Sequence, residues 1–269
     1  MSRRILPFSI FKASITRLTP EQEEFLNKYT KGTWTYNSST GLVDVKGHFD
    51  FSNKQLEDFV GVKFGKVSGD FDCKRNNLTR LSGAPQVVGG SFYCYDNNLT
   101  SLAGSPQKVG GGFFCDRNNL TSLAGAPQKV GVDFSCERNK LTSLEGAPQE
   151  VGGHFDCYLN NLTSLAGAPQ KIGGQFESDA FVLTEGDWNL KGWLKVLQEG
   201  SPEAQKLILT LLPVEALNKE IARDPAGMTI KLKGVWNDES FKETRSKLVW
   251  PKGYSDDADL VGDLDDVGF

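Results

Sequence analysis

The chain has 269 residues, of which 38% are apolar, and a formal net charge of -4. This length accommodates a main domain with a smaller flanking domain, and the slight acidity argues against general nucleic-acid binding, which usually requires a basic domain. No run approaches the roughly 18 consecutive apolar residues of a transmembrane helix, so we expect no membrane span.

Residues 1–46 are predicted to form a basic arm followed by a cap. Four basic residues and no acidic residue precede Glu21. The short apolar run in this arm is interrupted by Pro7 and lacks a small-residue cleavage pattern, so we do not expect a signal peptide.

The cap is predicted to contain one helix and one hairpin. Thr19, Pro20 and Gln22 have the pattern of an N-cap, a first-turn proline and a capping box, which indicates a helix over about residues 20–31 that ends at Gly32. Two β-prone segments on either side of a polar turn then predict a hairpin over about residues 33–46.

Residues 47–178 repeat with a period of 21 residues. A fixed period of this size is typical of a solenoid, in which each turn contacts only its neighbours. Three residue types keep the period. They are Cys73, Cys94, Cys115, Cys136 and Cys157; Phe71, Phe92, Phe113, Phe134, Phe155 and Phe176; and Asn76, Asn97, Asn118, Asn139 and Asn160.

Each turn is predicted to contain one short parallel strand and a mostly extended return. Phe92 and Cys94 alternate with outward positions, as in a half-buried strand, and Pro106 at a repeated position excludes a helical return. We predict a degenerate first turn, five full repeats and a partial last turn.

The motif Phe-x-Cys-x-x-Asn-x-Leu-Thr-x-Leu resembles the leucine-rich repeat. The run Asn-Asn-Leu-Thr-Ser-Leu-x-Gly-x-Pro is similar to the short bacterial subclass found in secreted effectors and in bacteriophage proteins. The resemblance covers residues 69–176 and extends weakly to residues 47–68. It implies a leucine-rich-repeat-like coil. The ubiquitin-ligase activity of some effectors is not implied, because every Cys of this chain belongs to the repeats.

The Asn and Cys rows are interpreted as structural ladders. An Asn at a corner can bond the backbone of its own and the neighbouring turn, and stacked Cys side chains are expected to be small, buried and reduced. Reduced thiols favour a cytoplasmic location. No His joins the Cys row, so we expect neither a metal site nor a cofactor.

After the repeats, helical spacing predicts a small α-helical domain over residues 186–251, either a cap or an independent binding unit. Residues 252–269 form an acidic tail, in which residues 255–269 carry six Asp and no base. This acidic tail is predicted to be flexible or to dock on a partner or on its own chain.

The outward positions of the strands vary from turn to turn and mix aromatic with charged residues, as interface hot spots do. The alternative is that the aromatic residues are present only as good strand formers. The predicted binding face consists of Asp72, Lys74, Arg75, Tyr93, Tyr95, Phe114, Asp116, Arg117, Glu137, Arg138 and Tyr158.

These features favour a non-enzymatic protein-interaction module of a bacterium or a bacteriophage, acting in the cytoplasm of the bacterial cell. One alternative is a structural or virion-associated component that self-associates through its basic arm and acidic tail. A third hypothesis is an enzyme with its site in the helical domain. The sequence predicts a protein partner and does not identify it.

Overall fold

The computed structural model describes residues 17–183, 187–212, 214–232 and 239–251. Within these ranges the chain forms a parallel β-solenoid followed by helices, which confirms the predicted fold class. The first sixteen residues of the basic arm, and the acidic tail at residues 252–269, lie outside the described residues.

The N-terminal helix, α1 (Pro20–Tyr29), begins at the predicted capping box. The backbone N–H of Gln22 donates to Thr19 Oγ1 at 3.2 Å, and the N–H of Thr19 donates to Gln22 Oε1 at 3.1 Å. The helix ends before Gly32, because the chain enters strand β1 (Thr30–Asn37) directly. Gly32 instead lets the hairpin strands approach, since a Cβ there would collide with the Lys46 carbonyl.

The second hairpin strand, β2 (Leu42–Asp50), starts the solenoid and continues across the predicted boundary at residues 46 and 47. It pairs antiparallel with β1 and parallel with one strand in each of two columns. The first column contains β3 (Phe64–Val67), β5 (Val87–Val88), β7 (Lys108–Val109), β9 (Lys129–Val130), β11 (Glu150–Val151) and β13 (Lys171–Ile172).

The second column is the predicted one, with Phe at the first position of each strand. It contains β4 (Phe71–Asp72), β6 (Phe92–Tyr93), β8 (Phe113–Phe114), β10 (Phe134–Ser135), β12 (Phe155–Asp156) and β14 (Phe176–Glu177), followed by β15 (Val182–Leu183), antiparallel to β14. The structure thus adds a second strand to each turn. The two strands of a turn are joined through a glycine, such as Gly110, because a Cβ at this position would collide with a carbonyl of the preceding turn.

The core consists of ladders that run along the solenoid axis. Phenylalanine rings of successive turns stack with centroids 5.2–5.6 Å apart, from Phe71 to Phe176. Such aromatic pairs contribute about 0.5–1.5 kcal/mol each beyond the burial of their area. The Cys row lies beside the Phe row and is fully buried, as predicted.

Both ends of the solenoid core are covered by aromatic side chains. At the first turn, the Phe25 ring of α1 lies 5.4 Å from Phe49 and 5.5 Å from Phe51. At the last turn, the Trp188 ring stacks 4.3 Å from Phe176, and its indole N–H donates to the Pro169 carbonyl at 2.8 Å. The C-terminal segment therefore acts at least as a cap.

The helices after the solenoid are α2 (Leu190–Glu199), α3 (Pro202–Leu209), α4 (Val214–Arg223), α5 (Pro225–Leu232) and the short α6 (Lys242–Arg245). Ser201 caps α3, because its hydroxyl accepts from the Ala204 N–H at 3.2 Å. None of the helices in the described ranges has the length and apolar content that a membrane-spanning helix requires.

Candidate interaction face

The second strand column presents one continuous outer surface, which we call the strand face. Four rows of equivalent positions run along it. The leading row is Asp70, Ser91, Gly112, Asp133, His154 and Gln175; the central row is Asp72, Tyr93, Phe114, Ser135, Asp156 and Glu177; the trailing row is Lys74, Tyr95, Asp116, Glu137 and Tyr158; and the corner row is Arg75, Asp96, Arg117, Arg138 and Leu159. All eleven predicted face residues belong to the last three rows.

Four predicted residues contact one another and form an aromatic cluster, defined as Lys74, Tyr93, Tyr95 and Phe114. The Tyr93 and Phe114 rings stack at 5.1 Å with 5° between their planes, and Tyr95 meets Tyr93 edge-on at 6.5 Å. Lys74 Nζ lies 5.3 Å from the Tyr93 centroid and 5.7 Å from the Tyr95 centroid, within cation–π range. All four residues are half-buried.

Two neighbours hold this cluster in place. Lys74 Nζ forms an ion pair with Asp72 Oδ2 at 2.6 Å, which fixes the ammonium group over the rings. Gly112 provides the space for Phe114, since a Cβ at Gly112 would lie 2.6 Å from Cζ of that ring. The cluster is thus a preorganised apolar and aromatic surface.

Beyond Phe114 the same rows become acidic. The carboxylate cluster, as we define it, consists of Asp116, Asp133, Glu137, Asp156 and Glu177. The pKa of Asp116 is raised to about 6, mainly by burial and also by the charge of Glu137, while a hydrogen bond from the Ser135 hydroxyl opposes the increase. Burial also raises the pKa of Asp156 to about 6, with contributions from Glu177, Asp133 and Asp116 that His154 opposes.

The corner row adopts left-handed backbone conformations, with φ between 49° and 53°. Non-glycine residues rarely adopt this conformation. The Asn ladder explains why it persists, because Asn118 Nδ2 donates to the carbonyls of Cys94, Cys115 and Asp116, each at 3.1 Å. Its Oδ1 accepts from the Leu99 N–H at 2.9 Å. The predicted ladder role of the Asn row is confirmed.

Corner-row charges interact between turns. Asp96 lies between two arginines, 3.4 Å from Arg75 Nε and 3.7 Å from an Arg117 terminal nitrogen. Arg138 and Leu159 are exposed. These arginines therefore border the strand face, and the aromatic and carboxylate clusters occupy its centre.

Sequence reasoning missed the leading row. Its side chains accept hydrogen bonds from the backbone of the next turn: Asp70 Oδ1 from the Ser91 N–H at 2.7 Å, and His154 Nδ1 from the Gln175 N–H at 3.1 Å. The alternation that places Phe inward also places the preceding residue outward. That signal was available, but the glycines in this segment indicated only a turn.

The thiols of the Cys row are enclosed in the core. All five thiols are free and buried, and burial raises each thiol pKa well above its ordinary value. A buried, protonated thiol is a poor nucleophile and a poor metal ligand. Within the described ranges, no group of three or more His, Cys, Asp or Glu side chains is arranged to hold a metal ion.

Comparison with known proteins identifies no relative: no protein-family model, no curated protein and no solved structure matches the chain.

Proposed function

We propose that the protein is a non-enzymatic interaction module that binds a protein partner through the strand face. The aromatic cluster is the observation that carries this proposal. Tyr and Arg are enriched at the residues that dominate binding energy in interfaces, and here two tyrosines and a phenylalanine are held half-exposed on a rigid sheet. A surface serving only for solvation does not require ordered aromatic side chains.

The ends of the solenoid argue against assembly by end-to-end stacking of copies. Phe25 covers the first turn and Trp188 covers the last, so neither core edge described is available to another copy. Capped ends with a patterned lateral face are typical of repeat proteins that bind along their surface. The virion-associated alternative would therefore have to assemble through the lateral face, or through the basic arm and the acidic tail.

The proposal places the protein in the cytoplasm of a bacterial cell, either as a bacterial or as a bacteriophage product. Five buried, reduced thiols support a reducing compartment. The resemblance of the repeats to short bacterial leucine-rich repeats supports the source.

The proposal is tested by partner capture from bacterial lysate, with cross-linking to map the contact. The triple variant Tyr95→Ala, Phe114→Ala and Arg117→Ala is expected to lose the partner, since a hot-spot truncation costs about 2 kcal/mol or more. The control is the triple variant Lys108→Ala, Lys129→Ala and Lys171→Ala, which changes three exposed side chains of the first strand column. It should retain the partner.

Thermal melting of both variants checks that the fold persists. Capture that survives the aromatic triple change would move the binding site away from the strand face, to the helical domain or to the acidic tail. Loss of capture in both triple variants would show that the effect is not specific to the face.

A further inference from the structure

Resting on the function proposed above, we propose that the partner presents a basic, extended segment, with Lys or Arg side chains on the carboxylate cluster and an apolar anchor on the aromatic cluster. The strand face divides along the solenoid axis into these two chemically distinct halves. The inference concerns the chemistry of the partner and not its identity.

In the described part of the chain, the carboxylates of the acidic half are not paired with basic side chains. Among the described residues, no ion pair joins any member of the carboxylate cluster to a Lys or an Arg. In the corner row of these turns, Arg117 pairs with Asp96 at 3.7 Å, and the next base is Arg138. By contrast, Lys74 in the aromatic half is already paired with Asp72 at 2.6 Å. Electrostatic attraction of a cationic partner is therefore strongest at the acidic half.

The raised pKa values of Asp116 and Asp156 support this inference. Burial and neighbouring carboxylates make ionisation of both side chains unfavourable. A Lys or Arg placed beside them removes this penalty on binding, because an opposite charge favours the ionised form. Such complementarity contributes to specificity and to the association rate.

The spacing fits an extended segment. Successive turns lie about 4.8 Å apart, so the central and trailing rows offer carboxylates from Asp116 to Glu177 over about 14 Å. Side chains on one side of an extended chain repeat about every 6.6 Å. Two or three alternating basic residues therefore cover the acidic half, and an anchor about 5 Å further along, one turn beyond Asp116, reaches Tyr93 and the Phe114 ring stacked on it.

The test uses three synthetic peptides of about twelve residues and the full-length protein. In the first, Lys alternates with Ser and one end carries Trp; in the second, Gln replaces each Lys; in the third, Ser replaces Trp. We expect the Lys–Trp peptide to bind at least about tenfold more tightly than either of the others at about pH 7.5, as measured by fluorescence anisotropy or calorimetry. Its affinity should fall at about pH 5, as Asp116 and Asp156 become protonated.

Two matched variants locate the site. The double change Glu137→Gln and Asp156→Asn should weaken the Lys–Trp peptide by at least about tenfold, whereas Glu145→Gln with Glu150→Gln, outside the strand face, should leave its affinity unchanged. Equal binding of the Lys and Gln peptides, or no effect of Glu137→Gln with Asp156→Asn, would overturn the inference. Tighter binding of a single-stranded oligonucleotide than of the Lys–Trp peptide would overturn it as well.

The basic arm of the chain itself is the competing occupant. If Arg3→Gln, Arg4→Gln and Lys12→Gln together raised the affinity of the full-length protein for the Lys–Trp peptide by about tenfold or more, the arm would occupy the face and the assignment to a partner would fail.

The natural partner separates this inference from the proposed function. Loss of capture in the Tyr95, Phe114 and Arg117 variant, with capture retained in the Glu137 and Asp156 variant, would leave the proposed function intact and overturn only the basic partner. Capture retained in both variants would overturn the strand face as the binding site.

Discussion

Asp116 is expected to destabilise the folded protein at neutral pH, so that Asp116→Asn stabilises it. Burial is the main cause of a pKa of about 6 in place of 3.8, and the Glu137 charge adds to it. One pKa unit corresponds to about 1.4 kcal/mol, so a shift of about two units sets a ceiling near 3 kcal/mol. Because the side chain keeps some contact with solvent, we expect Asp116→Asn to raise the free energy of unfolding by about 1–2 kcal/mol. Asparagine retains an oxygen that can accept from Ser135.

The sign of this effect gives it a defined pH window. Between about pH 4 and pH 6 the folded state holds a proton on Asp116 that the unfolded state has released, so stability falls as the pH rises through this range. The penalty is complete above about pH 6 and absent below the unfolded pKa, where the carboxyl is protonated in both states. Asp156 has the same sign with a smaller effect, because it is more exposed.

Urea unfolding of the wild type, Asp116→Asn and the surface control Glu145→Gln at about pH 7, pH 5 and pH 4 measures the effect. The free energy of unfolding of Asp116→Asn should exceed that of the wild type at about pH 7, and the difference should vanish by about pH 4. A destabilised Asp116→Asn at neutral pH, or a difference that does not depend on pH, would show that the ionised carboxylate is well satisfied and refute the reasoning.

Three further changes probe the ladders and the cap. In chemical denaturation, Cys115→Ser should lower the free energy of unfolding by about 1 kcal/mol and Cys115→Val by less, because the Ser135 carbonyl, 3.3 Å from the thiol, can accept a hydrogen bond from the serine hydroxyl. Rapid labelling of the thiols in the native protein would contradict burial of this row. Asn118→Asp should lower the free energy of unfolding by about 3 kcal/mol or more, because three carbonyl oxygens would then face a carboxylate. Asn98 is exposed, so Asn98→Asp should change stability little, and equal effects of the two changes would contradict the ladder. Trp188→Ala should lower stability by about 3–5 kcal/mol, and an unchanged melting temperature would show that this ring is not a cap.

The solenoid could be predicted because its signal repeats. A single inward Phe or a single corner Asn is ambiguous, but the same residue at 21-residue intervals leaves few alternatives. The second strand of each turn was not predicted, since it has only two residues, such as Val87–Val88, and follows a proline. Its hydrogen bonds are made to neighbouring turns, and no local pattern in one turn encodes them.

The position of the binding-face residues could be predicted, but their contacts could not. Alternation along the strand placed Tyr93 and Phe114 outward, and register then brought them together as a stacked pair. The environment of Asp116 depends on Ser135 and Glu137 of the next turn, and therefore on turn spacing and side-chain volume. These quantities follow from three-dimensional packing.

The uniform ladders also make the protein modular in length. Each turn offers the same Phe, Cys and Asn surfaces to the turns before and after it, so excision of one whole period, such as residues 113–133, would bring Phe92 against Phe134 without creating a new kind of contact. The lateral surface would shorten by about 4.8 Å, the distance between parallel strands. Gain or loss of whole turns is therefore a route by which such a chain can change the length and chemistry of its outer surface while its interior remains the same.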